Sequence, residues 1–227
     1  MMKRISYYLA SLSVFLVGCS SSSDSTAVQF PWTIPGVNSM YIYHVREFDA
    51  SGFPVVDEYD TSLVIASGFE SEGKADCVET QKNPNSFLPP VYGMASYGSN
   101  GDWSIYGSGG LPGHKGGWET FHLGSKAASS ALYYDSTYLS NGQIIHASLT
   151  DSNFYAGEDT VIEAGASVEA FKFTFLRFDQ NRQVQFSGTE WIAPSIGINV
   201  RVVDTFARPG NYGIVRTQND LVSFKLY

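Results

Sequence analysis

The sequence predicts a mainly β protein: an antiparallel sheet curved into a half-barrel or folded as a sandwich, carried behind a cleaved signal peptide and a short polar tether. Three observations lead to that class. From Phe30 onward, apolar and polar residues alternate in short runs divided by Gly, Asn, Asp and Pro, which is the period of half-buried strands. No stretch after Cys19 holds a capped helical period, and the best local helix candidate, Ser125 to Tyr134, is built largely of Ser and Ala. The composition, 43% apolar and 15% aromatic with only 16% charged residues, supplies a core and excludes a mostly disordered chain. A length of 227 residues suits one medium domain or two small ones, and the strand pattern is read as one β domain over residues 29–227.

The first element is a targeting segment, residues 1–18. Lys3 and Arg4 precede an apolar stretch from Ile5 to Val17, shorter than the roughly 20 residues a spanning helix needs and suited to a signal. Leu16-Val17-Gly18-Cys19 resembles the lipobox of bacterial lipoproteins. That resemblance implies diacylglycerol on the Cys19 thiol, cleavage before Cys19 and acylation of the new amino group, with palmitate-type chains holding the protein to a membrane. Ser20 follows where Asp would mark retention in the inner membrane, so the resemblance implies the bacterial outer membrane. Residues 19–28, with Ser20 to Ser23, Asp24, Ser25 and Thr26, form a polar tether without periodicity,.

The strands follow in order. Tyr41 to Phe48 leads into the turn Asp49-Ala50-Ser51-Gly52, and Val55 to Ile65 returns as the second arm of a hairpin. A glycine- and aromatic-rich stretch at about 93–118 reads as a long loop carrying Tyr97, Trp103, Tyr106 and Trp118. It is no phosphate-binding loop, because Lys115 is not followed by Ser or Thr,. Asn141-Gly142, between Tyr138-Leu139 and Ile144-Ile145, is the strongest two-residue hairpin signal,. Phe171, Phe173 and Phe175 share one strand face, and after Asp179-Gln180-Asn181-Arg182 the run Gln183 to Phe186 pairs back. Ile196, Ile198, Val200 and Val202 alternate with smaller or polar residues, and Leu221 to Tyr227 forms the last strand. Gly165 permits a positive-φ turn, Pro194 stops pairing after Trp191, and Gly197 leaves room for a neighbouring aromatic.

Three segments carry a second resemblance. Val161-Ile162-Glu163-Ala164-Gly165 leading to Ala170-Phe171, then Trp191-Ile192-Ala193-Pro194-Ser195-Ile196-Gly197-Ile198, followed by the Leu221-Val222-Ser223-Phe224 strand, are similar to a pattern in uncharacterised envelope lipoproteins. The resemblance implies the curved half-barrel of lipoprotein carriers and contains no catalytic motif.

The chemistry is read mostly by exclusion. A formal net charge of -8 without a basic run argues against nucleic acid as a partner. G-x-S-x-G, H-E-x-x-H, C-x-x-C and EF-hand motifs are absent from the sequence,. His114, Glu119 and His122 lie close in sequence but nothing in their spacing fixes a tetrahedral set, so no metal and no cofactor is expected. Asp57, Glu58 and Asp60 read as a solvated hairpin face. Cys77, the only cysteine besides Cys19, reads as buried and inert.

These readings lead to a non-enzymatic, lipid-anchored envelope protein. A concave face lined by Phe171, Phe173, Phe175, Trp191 and Ile198 would hold an apolar ligand or an envelope partner. The alternative is a module that binds carbohydrate or surface matrix by stacking Trp103, Tyr106 and Trp118 on sugars. A hydrolase would need a carboxylate or histidine whose removal abolishes turnover.

Overall fold

The computed structural model describes residues 30–227, apart from 86–90, 108–114, 141–142, 164 and 208–212. The signal segment, Cys19 and the tether lie outside the described residues. The chain forms strands β1 (Met40–Asp49), β2 (Pro54–Ser71), β3 (Lys74–Lys82), β4 (Val91–Tyr97), β5 (Asp102–Gly107) and β6 (Lys115–His122). Then follow β7 (Ser129–Ser140), β8 (Gln143–Glu163), β9 (Ala166–Asp179), β10 (Val184–Ala193), β11 (Ile198–Phe206) and β12 (Ile214–Lys225). Each strand pairs antiparallel with its neighbours in sequence, and β1 pairs with β12 to close a barrel. The sheet is antiparallel and curved as the sequence predicts, and its curvature runs to full closure where the resemblance implied a half-barrel. Closure removes both edges, which is how an all-antiparallel sheet avoids presenting unpaired backbone.

Two predictions from the sequence are corrected. The stretch at 93–118 is not a long loop, because its described residues build β4, β5 and β6. Glycine there serves close packing: a Cβ on Gly116 would lie 2.5 Å from the Tyr106 ring. Of the weak helix candidate Ser125 to Tyr134, the part from Ser129 on is strand; pairing with β8 outweighs the helical propensity of its three alanines,.

The turns obey their local chemistry. Asp49 Oδ1 accepts hydrogen bonds from Ser51 N at 2.8 Å and Phe53 N at 3.0 Å. Asp179 Oδ1 repeats the arrangement with Asn181 N and Gln183 N, both at 2.9 Å. Each is an Asp folded over its own turn, with Gly52 and Arg182 taking the positive φ,. Gly165 is also at positive φ, 74°, as its place between strands requires. Ser140 pairs with Gln143 across the predicted β7–β8 hairpin.

Side-chain alternation gives the barrel two unlike faces. Across the register, Lys172, Trp191, Arg201, Asp220, His44 and Tyr59 stand in one row from β9 to β2. Arg46 and Arg201 both pair with Asp220, and His44 stacks on Tyr59 with ring centres 4.9 Å apart. This charged belt faces outward, the reverse of a membrane-spanning barrel, whose outer band is apolar. The inner face carries Tyr41, Val64, Val78, Phe121, Phe173, Ile192, Val200 and Leu221, all buried.

One end is sealed by the segment that precedes β1. Phe30 N donates to Ser99 O at 2.9 Å, Thr33 N to Pro194 O at 2.9 Å and Gly36 N to Tyr227 O at 3.2 Å. Trp32 Nε1 donates to Gly98 O at 3.0 Å, and the Trp32 ring meets the edge of Tyr97 at 5.4 Å. Gly197 makes the approach possible: its Cβ would sit 2.0 Å from Thr33 O. The space at Gly197 is therefore taken by this strap's backbone and not by an aromatic ring, as the sequence had suggested.

Candidate functional site

Phe121, Phe173 and Tyr155 pack edge to face, with Phe121–Phe173 centroids 5.4 Å apart, and fill one side of the lumen. Phe175 and Phe186 continue that packing at 5.9 Å. The other side, walled by β1 to β5 and by β10 to β12, holds a cavity of about 320 Å³. That volume is in the range of small-molecule sites, roughly 300–1,000 Å³. Its apolar wall includes Val45, Val78, Met94, Ala95, Ile105 and Ile198, with Tyr41, Tyr43, Tyr97 and Trp103 above it.

The tyrosines are fixed by their hydroxyls. Tyr41 donates to Ile196 O at 3.2 Å, Tyr43 to Asn199 O at 2.9 Å and Tyr97 to Gly197 O at 2.5 Å. All three acceptors lie in or just after the turn that Pro194 starts, so the turn dictates the position of the rings. Burial pushes all three phenols up, and they face the cavity as neutral hydrogen-bond donors already in use.

The wall has a thin seam. β4 pairs with β5 only through Ala95, Ser96 and Tyr97. Among the described residues, Val91 to Met94 pair with β3 alone, and Tyr106 and Gly107 with β6 alone. Gly93, Met94 and Tyr106, which flank this parting, also line the cavity.

The polar part of the site is acidic. Asp60, buried on the inner face, is held by Lys82 Nζ at 2.5 Å and Asn83 Nδ2 at 2.7 Å. It therefore leaves the solvated group that the sequence assigned it to, whereas Asp57 remains outside on His44 at 2.6 Å. Glu190, 5% exposed, accepts from Asn199 Nδ2 at 2.9 Å. Burial, then the nearby Asp204 charge, pushes its carboxyl up to about 8. Burial likewise raises Asp204 to about 6 and raises Glu119, whose neighbours Asp151 and Glu190 add to the effect. Arg177 is bound bidentately to Asp151.

The predicted site residues divide. Ile198 lines the cavity. Phe173 and Phe175 are buried on the filled side, and Phe171 packs beneath the strap, 5.9 Å from Phe30. Trp191 is away from the cavity, its ring between Lys172 at 5.2 Å and Arg201 at 5.7 Å, with Nε1 donating to Asp159 at 3.2 Å. Of the three residues assigned to a sugar-binding loop, Trp103 is 2% exposed and faces the cavity with Tyr106. Trp118 packs on Tyr106 at 5.1 Å and donates to Glu72 O. Buried Trp103 offers no face to a glycan, so a stacking platform of these three does not exist. Of the histidines weighed as ligands, His114 lies outside the described residues. Glu119 is buried while His122 bonds Asp102 at 2.6 Å, and three positions apart on one strand they face opposite sides. Cys77 is buried, and burial raises its thiol.

Sequence reasoning missed Tyr43, Glu190 and Asn219 as lumenal residues. The signal was present in the alternation Tyr41-Tyr43-Val45, but the inward direction of Glu190 depends on the register of β10.

Fold and site together define an antiparallel barrel with an aromatic-walled, acid-edged lumen. No family model matches the chain, and no curated protein matches it. Among solved structures it is similar to a candidate exported protein with a YmcC-like fold from Bacteroides fragilis, at 13% identity and a TM-score of 0.46, over 86% of this chain and 98% of that one. A candidate lipoprotein from Parabacteroides distasonis aligns at 10% identity and a TM-score of 0.47, over 87% of this chain and 99% of that one. The hypothetical lipoprotein YmcC of Escherichia coli aligns at 11% identity and 0.36, over 82% and 84%. Likeness at this level carries no inference about function.

Proposed function

We propose that this chain is a lipid-anchored protein of the bacterial outer membrane whose barrel lumen binds a small, mostly apolar ligand. The observation that supports binding is the cavity of about 320 Å³, left on one side of a lumen whose other side is filled by aromatic rings. Interiors normally pack without voids of that size. Anchoring is supported by Leu16-Val17-Gly18-Cys19 and the serine-rich tether; acyl chains at Cys19 would hold the domain firmly, since each buried methylene adds about 0.8 kcal/mol.

Native mass spectrometry of the full chain extracted from its own envelope tests both halves. The expected result is a mature mass beginning at acylated Cys19, together with a co-purified small molecule that Ala95→Phe displaces by filling the cavity. An unmodified amino terminus overturns the anchoring, and a persistently empty lumen overturns the binding.

A further inference from the structure

We propose that the ligand carries a protonated amine, seated between the Glu190 carboxylate and the Asn219 side-chain carbonyl. This rests on the lumenal reading above and specifies its chemistry. In the register, Glu190 of β10 faces Val202 of β11, Val202 faces Asn219 of β12, and Asn219 faces Val45 of β1. Residues directly opposite one another share a face, so these four form one row along the inside of the barrel, and Glu190, Asn219 and Val45 all line the cavity. The two acceptors are two strands apart, about 10 Å between backbones.

Each acceptor lacks something a ligand could supply. Asn219 Oδ1 is buried with no hydrogen-bond partner, although buried carbonyl oxygens are nearly always paired. Glu190 receives a neutral donor from Asn199 and, among the described residues, makes no ion pair. The charged groups around it are Asp204 and Asp151, which repel its charge, and Glu119, which Glu190 in turn raises. Among the described residues, the inward cations Arg177 and Lys82 are bound to Asp151 and Asp60. An ammonium offers three donors and no acceptor, so it satisfies the carboxylate and the carbonyl together. A carboxylate or phosphate headgroup meets only like charge and lone pairs there. Val45, Ile198, Ile105 and Met94 would cover the apolar remainder of the ligand.

The charge balance yields a signature. Empty, Glu190 keeps its proton up to about pH 8. Binding R–NH₃⁺ forms an ion pair with the carboxylate, and the displaced proton leaves to solvent. Below that pH, binding therefore releases close to one proton.

The test uses the full chain in detergent, with isothermal titration of three probes of matched shape: 2-phenylethylamine, 2-phenylethanol and 3-phenylpropanoate. The amine is expected to bind about tenfold or more tightly than the other two. Its heat should change between buffers of different ionisation enthalpy by about one proton's worth at pH 7. Glu190→Gln should bring the amine to the level of the alcohol, and a cooperative unfolding transition like the parent's shows that the variant is folded. Asn219→Leu should weaken the amine selectively. Equal binding of amine and alcohol, or an amine preference that survives Glu190→Gln, overturns this inference and leaves the lumenal reading standing. Binding of none of the three overturns both.

Discussion

A carboxyl group as deeply enclosed as Glu190 lowers its cost chiefly by keeping its proton. Its ordinary value of 4.5 rises to about 8 in the fold, and Asp204 moves from 3.8 to about 6. Between the unfolded and folded values the native chain holds a proton that the unfolded chain has released. Stability therefore falls as pH rises through these windows, by up to about 1.4 kcal/mol per pH unit for each group. Asp220 acts in the opposite sense: burial pushes its carboxyl up, but hydrogen bonds from Arg201, Gln218 and Arg46 bring it below its ordinary value. Its contribution is complete above that ordinary value and is lost as pH falls through the folded one. The urea midpoint is thus expected to be highest near pH 4 and to decline toward pH 8, measured by tryptophan fluorescence,. In Glu190→Gln the decline should be visibly shallower; an unchanged profile would place the titration elsewhere.

At the scale of the element, the strap and the seam behave differently. The strap is held by backbone bonds passing over Gly197, which has a φ of 75° and no room for a Cβ. Gly197→Ala should cost about 2 kcal/mol or more and release Trp32 from Tyr97, seen as a red shift of tryptophan emission. The β4–β5 seam is the thin part of the wall. Amides of Val91 to Met94 should exchange with deuterium faster than those of β1, which is paired on both sides through almost its whole length,. Protection equal to β1 would mean the seam is closed in solution. Elements with strong local signals were legible in the sequence: the Asp49 and Asp179 turns, the β7–β8 pairing and the Phe171-Phe173-Phe175 face all fall where their chemistry puts them. The strap was not. Phe30-Pro31-Trp32-Thr33-Ile34-Pro35 has no period, and its place is set by partners some 65 to 190 residues away, among them Ser99, Pro194 and Tyr227. Glycine density at 93–118 likewise looks like a loop locally, whereas in the barrel it lets side chains and backbones pass close together.

For the whole molecule, closure is the decisive event. β1 and β12 lie at opposite ends of the chain and pair over ten residues of β1, Met40 to Asp49. Leu221 is fully buried, and Tyr227 N donates to Ser39 Oγ at 3.1 Å. Removing Leu221 to Tyr227 should abolish the cooperative unfolding transition and the near-ultraviolet circular dichroism of the buried rings. Pairing of such distant strands also makes folding slow, because loop-closure entropy must be overcome before the pairing contributes. That the strands close into a barrel could not be read from alternation, which is the same in a sandwich, a half-barrel and a barrel. The same limit hid the lumen: period 2 marks which residues share a face, and only strand order shows that Glu190, Asn219 and Val45 meet.

The strap's position also has a mechanical consequence. Everything N-terminal to Phe30 joins the barrel through it, so a pull on that side first loads the bonds from Phe30 to Ser99 and from Thr33 to Pro194. These lie outside the interstrand ladders and share their load with few neighbours. Under force the strap would peel away while β1 stays clamped between β2 and β12, and it would act as a fuse that yields before the barrel does. In a single-molecule pulling trace this is a small extension of a few nanometres preceding the main rupture, using the roughly 3.3–3.6 Å that each freed residue adds.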